Sequence, residues 1–246
     1  KEYRCINKTV MDKSKDTVTV CTRLRPMNTK EKNEGQEEIV SVVENRGELQ
    51  IKNISDSKKP LMFTFDYVFS QKSQQNQIYD SCSKPVIDSL LSGFNCTIFA
   101  YGQTGSGKTF TMEGVEGDSE MCGIIPRTFS QIFGDIRNSD STKDHLVRVS
   151  MIELYNEEIR DSLNKQEKKD KLEIHEDPKT GFYVKGISII NVKNEEELKN
   201  LVNFGKSSRK VRATSMNDYS SRSHSILTII VESSQTDEVS QESSFR

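Results

Sequence analysis

No run of apolar residues in this chain approaches the ~20 needed for a helix to cross a bilayer, and no secretory leader opens it. An excess of one charge is also missing, since 35 basic residues stand against 37 acidic ones for a net charge of -2. That balance excludes a protein that coats nucleic acid through its overall field, although a local basic patch stays open. Disulfide and zinc signatures are absent. The five cysteines (Cys5, Cys21, Cys82, Cys96 and Cys122) are scattered and odd in number, with no C-x-x-C, which reads as reduced thiols in the cytosol. The three histidines (His145, His175 and His224) are far apart, with no zinc-type spacing to any cysteine. No repeat is present. The expectation is a soluble, cytoplasmic protein with neither membrane nor nucleic acid as partner.

What is there is enough chain for a substantial core: 246 residues, 33% hydrophobic and 29% charged. Residues 1–16 are polar, without periodicity, and read as an arm. Val18 to Arg25 alternates like a strand and stops at Pro26, with Arg23 and Arg25 on the face opposite Val18, Val20 and Leu24. The charged stretch from Asn28 to Glu38 reads as a loop. Short strand patterns follow at Gln50–Lys52 and Phe63–Phe69. Ile78, Cys82, Val86, Ile87, Leu90 and Leu91 recur at helical spacing, with Pro85 placed to split the helix and Gly93 to end it.

Thr97 to Tyr101 is a short apolar strand, a helix starts at Lys108, and another covers Pro126 to Arg137. Val147 to Leu154 reads as a buried strand, followed by a short helix through Ile159 and Leu163. Two strand patterns, Leu172–Ile174 and Phe182–Val192, flank the turn Asp177-Pro178-Lys179-Thr180-Gly181. Asn194 with Glu197 opens a capped helix, and His224 to Val231 is the last strand. Strands alternating with helices predict an α/β layered fold with a central mixed sheet.

Between the strand at 97–101 and the helix at Lys108 lies Gly102-Gln103-Thr104-Gly105-Ser106-Gly107-Lys108-Thr109, which fits G-x-x-x-x-G-K-[ST] in the context that gives this pattern meaning. Glycines let backbone N–H groups curl around phosphate oxygens, and the helix N-terminus adds positive field. Lys108 then reaches the β- and γ-phosphates of a nucleoside triphosphate, and Thr109 ligates magnesium. Two neighbouring patterns point elsewhere. Ile226 to Glu232 is an apolar strand ending in a carboxylate that could hold magnesium through water, or simply exit into solvent. Asn164-Lys165-Gln166-Glu167 is near the guanine-reading N-K-x-D but ends in Glu, and a charged loop accounts for it better.

Thr97 to Gly114 as a whole resembles the nucleotide loop of a kinesin motor domain. Three further stretches agree in order. Arg23-Leu24-Arg25-Pro26 resembles the family's base-binding R-x-R-P, Glu153-Leu154-Tyr155-Asn156-Glu157 its central strand-end motif, and Asn217 to His224 its switch I, N-x-x-S-S-R-S-H. The similarity spans Val18 to Val231. Arg25-Pro26-Met27-Asn28, Phe63 to Phe69 and Phe110 to Gly114 are most like the ciliary anterograde-transport subfamily.

The resemblance implies an α/β fold of the P-loop NTPase type, a central mixed β-sheet flanked by helices, lacking its C-terminal part. It divides the chain into an arm at 1–16, an incomplete motor domain at 17–234 and a polar tail at 235–246. It implies a microtubule-stimulated ATPase that uses ATP/ADP and Mg2+, partners tubulin, and sits on the cytoskeleton, with a cilium or flagellum implied by the subfamily. Dimerisation is expected through a stalk outside this chain. Arg23, Pro26 and Phe94 bracket adenine, with Arg25 and Phe110 completing the nucleotide set around residues 102–109. Phe94 can equally pack as core. Ser220 and Ser221 close over the γ-phosphate, to which Asn217 hydrogen-bonds, Ser221 also joins Thr109 on magnesium, and Arg222 belongs to the same switch. Tyr219 replaces a common His, which puts a proton relay there in doubt. His224 reads better as structural than as a base. Lys206, Arg209, Lys210 and Arg212 follow the capped helix and either favour its C-terminus or reach the nucleotide or switch residues. Candidate tubulin contacts are sparse, near His175 and Lys179, and a solvated turn accounts for that segment better than a strong binding site.

The family's switch II, D-x-x-G-x-E, does not occur in these 246 residues. Three expectations follow: an Arg222 without its glutamate partner, nucleotide binding with poor turnover, and an uncovered sheet edge prone to aggregation. A nucleotide-gated microtubule-binding module without productive hydrolysis is the alternative, and an unrelated phosphotransferase or GTPase the third reading.

Overall fold

The computed structural model describes residues 2–6, 18–52, 59–141, 143–164, 172–178, 181–214, 223–236 and 243–245. The chain divides into two compact units, Lys1–Ile132 and Phe133–Arg246. In the first, the strands are β1 (Glu2–Ile6), β2 (Val18–Arg23), β3 (Val40–Val43), β4 (Glu48–Ile51), β5 (Leu61–Thr64), β6 (Tyr67–Phe69) and β7 (Ile98–Tyr101). Four of them form a mixed sheet in the order β6-β2-β1-β7, with β2 and β6 parallel and β1 antiparallel to both its neighbours. The other three make a separate antiparallel sheet, β3-β4-β5. The run from Phe63 to Phe69 is therefore two strands in two sheets.

The arm expected at 1–16 contains β1, whose backbone pairs Tyr3 with Cys21 on one side and with Ala100 on the other. Composition concealed it because its ladder partners are distant in sequence. Strand β2 ends at Arg23 rather than Arg25, and its buried residue is Cys21, on the same face as Arg23. The arginine face is thus the inner one, the reverse of the expectation from Val18 and Val20. Cys21 packs with Phe69, Ile78, Tyr79, Cys82 and Ile124.

Asn28 to Glu38 contains α1 (Thr29–Asn33), where a loop is expected from the charge run. Asn28 accepts from the Glu31 N–H (2.8 Å) while Glu31 accepts from the Asn28 N–H (2.9 Å), a reciprocal capping box. Arg25 also donates to Glu31 (2.7 Å). The Arg25 hydrogen bonds, and next the Asn28 N–H, hold the Glu31 carboxyl down to about 2. A carboxylate with a depressed pKa stabilises the fold fully above its ordinary value of 4.5 and loses that contribution as pH falls toward 2. The urea midpoint should drop between pH 5 and pH 3, and Glu31→Gln should make that drop shallower. Equal slopes in the two proteins would rule this out.

The apolar run after residue 74 is split as the proline predicts: α2 (Gln75–Ile78), a π turn at Tyr79–Ser83, and α3 (Lys84–Leu91) with Pro85 in its first turn. Gly93, at φ 95°, ends it. After β7 comes α4 (Lys108–Met112), and α5 (Ile124–Asn138) follows.

The second unit contains β8 (Lys143–Tyr155), β9 (Glu158–Asp161), β10 (Glu173–Asp177), β11 (Gly181–Lys185), β12 (Ile190–Val192), α6 (Glu195–Thr214), β13 (Ser223–Thr236) and β14 (Ser243–Phe245). Its main sheet runs β12-β8-β13-β14, with β9 folded onto β8, and β10-β11 is a separate hairpin. Strand β8 buries alternate residues Val147, Val149, Met151 and Glu153. Helix α6 approaches β8 closely at Gly205, where a Cβ would lie 2.6 Å from the Met151 sulfur. The mixed α/β character is as expected, with the strands distributed over these sheets rather than drawn in one.

Three readings need correction here. The helix expected through Ile159 and Leu163 is β9, because Asn156 and Glu157 both take positive φ (49° and 63°) and turn the chain back as a hairpin. Helix α6 continues to Thr214, so Lys206, Arg209, Lys210 and Arg212 lie within it. Glu232 lies inside β13 and is ion-paired with Arg148, so it does not stand at a strand end as a water-mediated magnesium ligand. Along residues 223–233 the second edge of β13 carries no strand among the described residues, since β14 pairs only with Ser234–Thr236.

Candidate functional site

The loop 102–109 leaves β7 and enters α4 as its motif predicts. Gly105 and Gly107 have φ of 80° and 85°, which L side chains rarely adopt, and a Cβ built on either meets nothing within 4 Å. The concavity is therefore open. The Lys108 ammonium donates to the carbonyls of Gly102 (2.6 Å) and Gln103 (2.9 Å), and the Ser106 N–H also donates to the Gln103 carbonyl (3.1 Å). The loop thus closes on its own carbonyls. Ser106 Oγ is buried without a hydrogen-bond partner, and the Gln103, Thr104 and Thr109 side chains reach solvent. A buried hydroxyl, a lysine and an exposed threonine hydroxyl make a donor set that fits a phosphate chain and a hard divalent cation. Helix α4 is only 5 residues long, so its field is weaker than a full helix supplies, and Lys108 carries most of the positive charge.

Arg23, at the end of β2, turns inward. Its Nη1 donates to Gln75 Oε1 (2.8 Å) and Thr111 Oγ1 (3.1 Å), and its guanidinium lies 5.0 Å from the centroid of the Phe110 ring. Phe110 is thus engaged by Arg23 behind the loop. Arg25 is held by Glu31 and by the Pro26 carbonyl (2.9 Å), and Pro26 itself is exposed. Phe94 is half-buried in the turn after α3, its N–H donating to Ser89 (3.1 Å). Asn217, Ser220, Ser221 and Arg222, with Tyr219, lie outside the described residues, as do Lys165–Glu167 and Lys179. His224 is an exposed member of β13 opposite Leu154.

Two residues escaped the sequence reading. Thr111, 1% exposed, donates to the Gly107 carbonyl (3.1 Å) and accepts from Arg23. Gln75, 3% exposed, donates to the carbonyls of Phe110 (2.7 Å) and Met121 (3.2 Å). Gln75 stands in a polar, glutamine-rich stretch, where nothing local separates a buried amide from solvated ones.

A glycine-lined concavity with a lysine bonded to its carbonyls, set between a strand of a mixed sheet and a helix, places the chain among P-loop α/β proteins. Residues 23–245 match the kinesin motor domain family, and the chain belongs to that family. It is 43% identical over 225 residues to kinesin-like protein KIF3C of Mus musculus, covering 91% of this chain and 28% of that protein. It is also 43% identical over 226 residues to kinesin-like protein klp-20 of Caenorhabditis elegans, covering 92% of this chain and 35% of that one. The solved structure of a fast kinesin, described for its ATPase mechanism and interactions with microtubules, superposes with a TM-score of 0.82 at 39% identity. That match covers 92% of this chain and 62% of the solved one. The chain thus spans about a third or less of the curated relatives named here. Its likeness within the family is to KIF3-like proteins, in line with the subfamily motifs. No described helix is long and apolar enough to cross a membrane.

Proposed function

We propose that this chain is the ATP-binding part of a microtubule-based motor, and that its parent protein couples ATP hydrolysis to movement along microtubules. The observation that carries the reading is Lys108 bonded to the Gly102 and Gln103 carbonyls across an open glycine loop. A cation held this way exchanges weak carbonyl partners for phosphate oxygens when a nucleotide enters. Thr109 would hold Mg2+ beside them, with Ser221 as its second ligand and Asn217, Ser220 and Arg222 around the γ-phosphate. Magnesium would neutralise charge developing on the phosphates. Arg25, Pro26 and Phe94 would flank the base, while Arg23 acts from behind the loop.

Membership of the kinesin family supports tubulin as partner, a cytoskeletal location and dimerisation of the parent protein; likeness to KIF3-like relatives supports ciliary or flagellar transport. The chain contains no D-x-x-G-x-E, so by itself it should bind Mg·ATP and turn it over slowly, because hydrolysis requires a positioned water in a closed site. Equilibrium titration should show magnesium-dependent binding with ATP preferred to GTP. Equal affinity for GTP would move the chain to another class of nucleotide protein. Full microtubule-stimulated turnover by these 246 residues would overturn the slow-turnover reading.

A further inference from the structure

Gln75 stands at the first position of α2, nearly sealed from water, with its amide between two carbonyls and a guanidinium. The orientation of that amide is unambiguous. Arg23 only donates, so Oε1 must face it, and carbonyls only accept, so Nε2 must face Phe110 and Met121. The Phe110 carbonyl lies in the last turn of α4, where intrahelical donors run out. Gln75 therefore serves as an external cap for the helix that begins with Lys108. The Met121 carbonyl also accepts from Val115 (3.0 Å), so the same amide fastens the loop that follows the helix.

From Arg23 the network continues to the phosphate loop. Arg23 Nη1 donates to Thr111 Oγ1, and the Thr111 hydroxyl donates to Gly107, the residue before Lys108. We propose that Gln75 is the positioning residue that locks Arg23 of the R-x-R-P segment to α4, so that the base side and the phosphate side of the nucleotide site are set as one piece. An amide is the side chain suited to this place. Glutamate has no donor for the two carbonyls, methionine has neither donor nor a strong acceptor, and lysine has no acceptor for Arg23. Asparagine is a methylene too short to span the same partners.

The inference rests on reading 102–109 as a nucleotide loop, and the test separates the two claims. Mg·ATP affinity is measured for the wild-type chain, Gln75→Met, Arg23→Met and the double variant, with amide hydrogen exchange of residues 110–123 followed without nucleotide. Gln75→Met should weaken ATP binding by about tenfold, the scale of one hydrogen bond to a charged group. The double variant should bind little worse than Arg23→Met alone, because Gln75→Met breaks a tether that Arg23→Met has already removed. Gln75→Glu keeps the acceptor for Arg23 and should lose less affinity than Gln75→Met, while both Gln75 variants exchange faster at 110–123. Affinity losses that multiply in the double variant overturn the proposal, as does unchanged exchange in Gln75→Met. If Gln75→Met does not fold, Gln75→Glu takes its place in the cycle and in the exchange comparison. Absence of ATP binding by the wild-type chain sinks the nucleotide reading instead, and the exchange comparison then decides the tether alone.

Discussion

Lys108→Met is expected to lower Mg·ATP affinity by at least about a hundredfold, since it removes a charge and hydrogen bonds worth about 1.5–3 kcal/mol each to an anionic ligand. The fold itself should barely notice. Among the described residues the ammonium bonds only to the carbonyls of Gly102 and Gln103, and Gln103 is exposed, so water can replace much of what is lost. The stability change should stay within about 1 kcal/mol. Titration with a fluorescent ATP analogue, paired with urea unfolding, separates the two effects. A variant that binds within about threefold of wild type would remove Lys108 from the site.

Gly114→Ala should have the opposite profile, with a large loss of stability. Gly114 has φ 76° and bridges Cys122. A Cβ there would press into the Met121 carbonyl oxygen and the Gly123 nitrogen, and would lie 2.6 Å from the Cys122 carbonyl carbon. These are backbone atoms, with no side chain to swing aside. They also belong to the turn closed by Val115 N–H to Met121 and Gly123 N–H to Glu113 (both 3.0 Å). Left-handed strain and steric overlap together should cost about 3 kcal/mol or more. The urea midpoint reports it, with Val115→Ala, at an exposed neighbour, as the control expected within about 0.5 kcal/mol. Similar midpoints for the two variants would mean that the turn relaxes around a side chain.

Legibility in the sequence followed the range of the interactions. The phosphate loop, the split at Pro85 and the stop at Gly93 each depend on a few consecutive residues, and each is where the pattern predicts. The cap at Asn194 is also present, its side chain accepting from Glu197 (2.9 Å), although Glu197 reaches back to the Lys193 N–H (2.8 Å) instead of that of Asn194. The same N-x-x-E spacing at Asn28–Glu31 was open to the same reading, but the surrounding charge run outweighed it. Glu158–Asp161 is legible in part, since Asn tolerates the left-handed turn that Asn156 takes; a Glu in that conformation at 157 is uncommon and carries no local signal.

Other features had no local signal at all. Tyr3 of β1 pairs with both Cys21 and Ala100, and such pairing depends on vacant backbone donors and acceptors far along the chain. Alternation of polarity assigns the Arg23 face wrongly, because its charge is satisfied by partners that folding delivers from residues 75 and 111.

The conformation of the glycine cradle at 102–109 was thus determined by the sequence itself, through glycine spacing and a lysine at a fixed offset, because backbone conformation over a single turn depends on local sterics. Only the tertiary structure decided what holds that cradle. A buried amide at Gln75 and a hydroxyl at Thr111 join β2 to α4 across 52 and 88 positions of sequence. Hydrogen bonds of that span leave no periodicity in the chain; they exist because burial leaves each polar atom no partner but its neighbour in space.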